Sequence, residues 1–88
     1  MKQVIVYSLD YCPYCKRAKT LLRERNISFK EIDMSRNEEK YSEKLEKKYG
    51  IKDVTYPQII IGNERIGGCS DLEHLIDTHK LNTLLNEE

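Results

Sequence analysis

Cys12-Pro13-Tyr14-Cys15, following shortly after the apolar run Val4-Ile5-Val6-Tyr7, decides how the rest of the chain reads. Two cysteines three positions apart can be bridged only if the backbone between them turns tightly, as the first turn of a helix does. Pro13 supports that placement, because the first helical position is where proline's missing N–H is not needed. Cys12 then lies just before the helix, at its positive end, where the dipole and unpaired N–H groups favour an anionic sulfur. It is the better exposed of the two and reads as a nucleophile. Cys15, one turn in, is more shielded and reads as the thiol that resolves a mixed disulfide.

The chain has 88 residues, enough for one domain spanning 1–88. Its 15 basic and 15 acidic residues cancel, leaving no electrostatic footprint for nucleic acid. The N-terminal apolar stretch is too short for a signal peptide, and no run approaches membrane-spanning length. A soluble, cytoplasmic chain is expected. Three cysteines do not make the dense, even set of a secreted scaffold. A Cys-x-x-Cys beside a βαβ pattern in a reducing compartment reads as redox-active.

Val4–Tyr7 suits a strand buried on both faces. A helix is expected from Pro13 to about Arg25, with Ala18, Leu21 and Leu22 inward and Asn26 ending it. Ile27 to Asp33 reads as a second strand. A polar helix from Asn37 to Tyr49 follows, with Tyr41, Leu45 and Tyr49 as a thin apolar stripe and Gly50 as its stop. Gln58–Ile61 and Glu64–Ile66 form a hairpin about Gly62-Asn63. After Gly67-Gly68, a last helix starts at Cys69 or Ser70 and buries Leu72, Leu75 and Ile76, and Leu81, Leu84 and Leu85 add one or two packed turns. The order βαβαββα predicts an α/β fold, a four-stranded mixed sheet flanked by helices.

Three short motifs coincide: Cys12-Pro13-Tyr14-Cys15, Thr55-Tyr56-Pro57 and Gly67-Gly68-Cys69-Ser70-Asp71-Leu72. In this order and spacing they resemble the dithiol glutaredoxins, on the thioredoxin fold, over nearly the whole chain. The resemblance implies a glutathione-dependent thiol–disulfide oxidoreductase with glutathione as co-substrate and no metal or prosthetic group. Its partners would be glutathione and disulfide-containing or glutathionylated proteins, met as a monomer, with no membrane or nucleic acid. It implies a cis bond before Pro57, with the Tyr56 backbone beside Cys12 and free to pair with an extended peptide. It places Tyr14 beside glutathione. It also implies that Gly68, Cys69, Ser70 and Asp71 hold the γ-glutamyl end: a helix start offers N–H groups to a carboxylate, and Asp71 can pair with an ammonium. Taken singly, these features also fit a zinc half-site, a trans proline at a strand start, and a plain helix cap. Cys69 alone reads as a small buried hydrophobe. Lys16, Arg17 and Lys19 read either as a solvated helix face or as an attraction for anionic glutathione. His74 and His79 read as surface residues.

Two positions depart from the family pattern. Many dithiol glutaredoxins carry a lysine where this chain has Leu9, and the carboxylate of Asp10 disfavours a neighbouring thiolate. Tyr56 stands where the family usually has valine, a bulk expected to narrow the docking groove. The loop Ile51-Lys52-Asp53-Val54 reads as longer than usual. These departures keep open a thioredoxin-like donor reduced by a flavin reductase. An iron–sulfur carrier and a binding module without turnover are the remaining alternatives.

Overall fold

The computed structural model describes residues 1–52 and 54–86. Asp53, part of the loop read as long, lies outside the described residues. The elements are β1 (Val4–Ser8), α1 (Pro13–Glu24), β2 (Lys30–Asp33), α2 (Glu38–Tyr49), β3 (Gln58–Ile61), β4 (Glu64–Gly67), α3 (Cys69–Asp77) and α4 (Leu81–Asn86). The sheet order is β2-β1-β3-β4. β1 runs parallel to β2 and antiparallel to β3, and β3 and β4 are antiparallel. The mixed four-stranded sheet expected from the sequence is present, with the leucine-rich tail forming a separate short helix.

Side-chain alternation divides the sheet into two unequal layers. On one face, Val4 opposes Ile61 and Val6 opposes Ile59. These four join Ala18 and Leu22 of α1, Leu72 of α3, and Leu81 and Leu85 of α4 in one buried cluster. Each fully buried aliphatic side chain contributes about 1.5–3 kcal/mol, so this cluster dominates stability. α4 is also tied down by a bond from the Lys2 N–H to the Leu85 carbonyl at 2.8 Å. On the other face lie Ile5, Tyr7 and Ile60. There α2 contributes one buried residue, Leu45, and a tilted Tyr41–Tyr7 ring pair 6.4 Å apart. This layer is thin. Ile5 and Tyr7 stay half-covered, so β1 is not buried on both faces as its composition predicts. The strand buried at every position is β3.

Backbone hydrogen bonding explains the largest boundary change. Asn26 is left-handed at φ 57°. Its N–H donates to Arg23 O at 3.0 Å, and the Ile27 N–H donates to Leu22 O at 3.0 Å. This is a Schellman stop, whose customary apolar contact here joins Ile27 to Leu22 in the core. The expected strand from Ile27 therefore begins only at Lys30, because Ile27 spends its amide on the helix end. The same device ends α3: His79 has φ 59°, and the Lys80 N–H reaches Leu75 O at 2.9 Å. α2 stops at Gly50, φ 67°, as expected. Among the described residues no helix is long and apolar enough to cross a membrane.

Leu22→Ala, at the junction of α1, the sheet and the Ile27 stop, is expected to lower unfolding free energy by about 2–5 kcal/mol. Gly50→Ala places its Cβ where nothing lies within 4 Å, so only the left-handed backbone is penalised, by about 1–2 kcal/mol. Urea unfolding at constant slope checks both, and an equal loss in the two variants would contradict this division.

Candidate active site

The site is built where three chain reversals meet. β1 delivers the chain to Leu9 and Asp10, and the Asp10 N–H donates to Ser35 Oγ at 2.7 Å. Ser35 is itself held by Asp33, whose Oδ1 accepts the Ser35 N–H at 2.9 Å. Tyr11 then adopts φ 59° with its side chain 95% exposed. A left-handed tyrosine costs about 1–2 kcal/mol, and nothing in its residue type signals that conformation. The reversal sets Cys12 at the N-cap of α1, with extended backbone angles of −103° and 105°, and Pro13 at the start of the helix.

Cys12 takes the part of a capping side chain. Its Sγ accepts the Cys15 N–H at 3.2 Å, so the sulfur occupies the place where a serine or aspartate oxygen would normally satisfy a free helix amide. All three cysteines are free thiols; Cys12 is half-buried, and Cys15 and Cys69 are buried. Burial pushes the Cys15 thiol up to about 12, with the hydrogen bond to Cys12 adding to it and the Leu9 backbone amide opposing it. Cys15 therefore keeps its proton at neutral pH. The two thiols thus differ in place and burial: Cys12 is half-buried at the N-cap and Cys15 is buried one turn in.

The second motif arrives from the start of β3. The Tyr56-Pro57 peptide is cis. The Tyr56 carbonyl accepts from Cys12 Sγ at 3.9 Å, a long contact of the kind sulfur makes. The Tyr56 phenol is hydrogen-bonded to the Ser42 hydroxyl on α2. The ring thus reaches α2.

The third motif closes the remaining side. Gly67 has φ 120°, and a Cβ there would run into the Asp71 carboxylate, so glycine is required. A Cβ on Gly68 would lie 3.5 Å from the Pro57 carbonyl, which places the Gly-Gly turn against the proline loop. Asp71 Oδ2 accepts the Gly68 N–H at 2.9 Å and caps α3. Ser70 and Asp71 are exposed at the start of α3. Tyr14 is 66% exposed. Cys69 points inward: its thiol donates to Glu73 Oε1 at 3.3 Å, and burial, followed by Glu73, pushes it up to about 11. Only its backbone can face the site.

Arg17 and Lys19, two of the three basic residues considered on α1, take structural partners. Arg17 Nε donates to Glu73 Oε1 at 2.8 Å, bracing α1 against α3. Lys19 pairs with Glu31 at 2.6 Å, and the same carboxylate oxygen accepts from buried Ser8 at 2.7 Å. His74 and His79 are exposed, as expected. Ser42 and Glu73 were missed by the sequence reading, because each sits on a helix face whose neighbour only the tertiary fold supplies.

A family model described as glutaredoxin matches residues 4–66. This chain belongs to the glutaredoxin family. It is 42% identical over 85 residues to glutaredoxin 1 of Rickettsia prowazekii, covering 97% of this chain and 88% of that one. A dithiolic glutaredoxin of Trypanosoma brucei brucei superposes with a TM-score of 0.83 at 36% identity, covering 97% of this chain and 88% of the other. A buckwheat glutaredoxin solved as a glutathione complex gives 0.85 at 27% identity, over 98% and 78% of the two chains. The fold is therefore the thioredoxin fold, and membership of the family implies a thiol–disulfide oxidoreductase.

A Cys15 raised to about 12 from an ordinary value of 9 carries on the order of a thousandfold less thiolate than a free thiol. Iodoacetamide at pH 8 is expected to modify Cys12 alone, as read by peptide mass spectrometry. Raised thiols add stability that is full below their unfolded value and lost as pH climbs toward the folded one. Urea midpoints of the reduced chain should therefore fall progressively above about pH 9, and less steeply in Cys69→Ala, since Cys69 is raised to about 11. A flat profile to pH 11 would contradict the burial of both thiols.

Proposed function

We propose that this chain is a glutathione-dependent thiol–disulfide oxidoreductase that reduces glutathione mixed disulfides and protein disulfides through Cys12 and Cys15. The observation that carries the reading is the Cys12 sulfur at the N-cap of α1, with Cys15 protonated behind it and the Tyr56 carbonyl beside it. The Cys12 thiolate attacks a glutathionylated substrate. A bond forms between Cys12 and the glutathione sulfur, the mixed disulfide breaks, and the substrate leaves as a thiolate. A second glutathione thiolate then attacks this adduct, releasing glutathione disulfide and restoring Cys12. With a protein disulfide, the mixed disulfide to Cys12 is attacked by Cys15, which first gives up its proton. The bridge Cys12–Cys15 forms and two glutathiones later reduce it.

Glutathione would lie across the three motifs. Its cysteinyl backbone pairs with the extended Tyr56 backbone ahead of Pro57. Its γ-glutamyl carboxylate accepts from backbone N–H groups of Cys69 and Ser70, beyond Gly68 at the start of α3. Its ammonium pairs with Asp71, whose Oδ1 is left over when Oδ2 caps Gly68. Tyr14 flanks the tripeptide. The likeness to the buckwheat glutathione complex supports this arrangement. The chemistry calls for no metal or prosthetic group. It suits a single domain of residues 1–88 acting as a monomer in a reducing cytoplasm on disulfide-containing and glutathionylated proteins.

Cys12→Ser is expected to abolish reduction of a glutathione mixed disulfide in an assay coupled to glutathione reductase. Cys15→Ser should keep that activity and lose most protein-disulfide reduction. An active Cys12→Ser protein would sink the assignment of the nucleophile. A native chain idle with glutathione yet reduced by a flavin-dependent thioredoxin reductase would replace the reading with a thioredoxin-like donor.

A further inference from the structure

No step above uses the Tyr56 side chain, although its backbone stands at the centre of the site. The residue has two ends with different partners. Its carbonyl meets Cys12 Sγ at 3.9 Å. Its phenol is hydrogen-bonded to the Ser42 hydroxyl, in the second turn of α2. Both side chains are half-buried, so the pair is partly shielded from competing water. Burial raises the phenol above its ordinary range, the Ser42 hydrogen bond opposing it and Glu38 and Glu46 adding to it, so it stays protonated at neutral pH.

α2 has few other attachments near this point. Its N-cap Asn37 makes no side-chain cap bond, and Leu45 is its one buried residue. Neither ion pair among the described residues involves it. The segment directly ahead of β3, residues 54–57, has no regular structure. It is tethered on the sheet side through Thr55, whose carbonyl accepts from Gln58 Nε2 at 2.7 Å. Gln58 is in turn held by Arg65 at 3.3 Å. The phenol supplies the opposite tether, toward α2. The backbone between Thr55 and Pro57 is thus fixed from both sides.

We propose that the Tyr56–Ser42 hydrogen bond is a latch that presents the Tyr56 backbone to glutathione, making Tyr56 and Ser42 positioning residues for the docked tripeptide. The inference rests on the glutathione reading above and adds two residues to it. Sulfur exchange needs the attacked disulfide in line with the Cys12 sulfur, and misplacement by an ångström can cost on the order of a hundredfold. A latch on the docking strand therefore acts on exchange with glutathione. It does not act on the intrinsic reactivity of Cys12 toward a small reagent that needs no docking.

The test uses full-length chain carrying Cys15→Ser, so that the Cys12 adduct is trapped. Reduced protein is reacted with glutathione disulfide. The Cys12 thiolate forms a bond to one glutathione sulfur, the reagent's disulfide breaks, and the other glutathione leaves as thiolate; mass spectrometry follows the product. Adding Tyr56→Phe, which removes one hydroxyl, or Ser42→Ala should each slow this reaction about threefold to tenfold, the size of one lost hydrogen bond. The two together should do no worse than either alone. Iodoacetamide should react with Cys12 at the same rate throughout. Unchanged rates with glutathione disulfide, an equal slowing with iodoacetamide, or additive losses in the double variant would overturn the latch. Hydrogen exchange at the Thr55 and Tyr56 amides, expected to quicken in Tyr56→Phe, judges it without glutathione. Should the parent react with glutathione disulfide no faster than a simple thiol, the glutathione reading fails, and the exchange rates alone decide the latch: faster exchange supports it and unchanged exchange removes it.

Discussion

The bond from the Cys15 amide to the Cys12 sulfur is the constraint on which the site depends. It makes a reactive atom do the work of a helix cap. The helix can start there only because Pro13 needs no partner for a missing N–H and because Tyr11 accepts a left-handed turn to deliver the chain. Both residues serve the same purpose, to bring a sulfur rather than an oxygen to free amides. An ordinary cap would stabilise the helix and do nothing else. Here the same geometry separates two thiols of one dipeptide spacing into an accessible one and a buried one that holds its proton.

That helix end must also be held against two other segments, and the unequal layers of the sheet explain how. The thick layer binds α1, α3 and α4 to Val4, Val6, Ile59 and Ile61. The brace between Arg17 and Glu73 fixes the start of α3 relative to α1. The Gly-Gly turn and the dithiol are therefore both carried by helices of the thick layer. The thin layer, with Leu45 and the Tyr7–Tyr41 pair, carries α2 much more lightly. The proline loop lies at the boundary of the two, tied to the sheet by Gln58 and to α2 by Tyr56.

Most of this was legible in the sequence where local chemistry decides the outcome. The start of α1 follows from proline and cysteine spacing, the stop of α2 from Gly50, the hairpin from Gly62-Asn63, and the α3 start from Gly-Gly followed by Ser and Asp. The rest depended on neighbours that spacing does not specify. Ile27 looks like a strand residue until its amide is seen capping α1. β1 looks fully buried until the polar α2 proves too thin to cover Ile5 and Tyr7. Arg17 looks free until Glu73 arrives from fifty-six residues away. Tyr56 shows its volume in the sequence but not its partner, Ser42, which only the tertiary fold supplies. The family likeness led to the cis peptide before Pro57.

The two outer strands, β2 and β4, carry a further consequence. Each has only four residues. Lys30, Glu31 and Asp33 on one, and Glu64 and Arg65 on the other, are exposed and charged. The β3–β4 pairing also contains a register irregularity between Ile59 and Ile60. Short, charged and irregular margins are poor templates for another chain. β3, the most apolar strand of the chain, is therefore screened from sheet-to-sheet aggregation by neighbours that no stranger can readily zip onto. The sheet thus keeps its most apolar strand without becoming a nucleus for fibres.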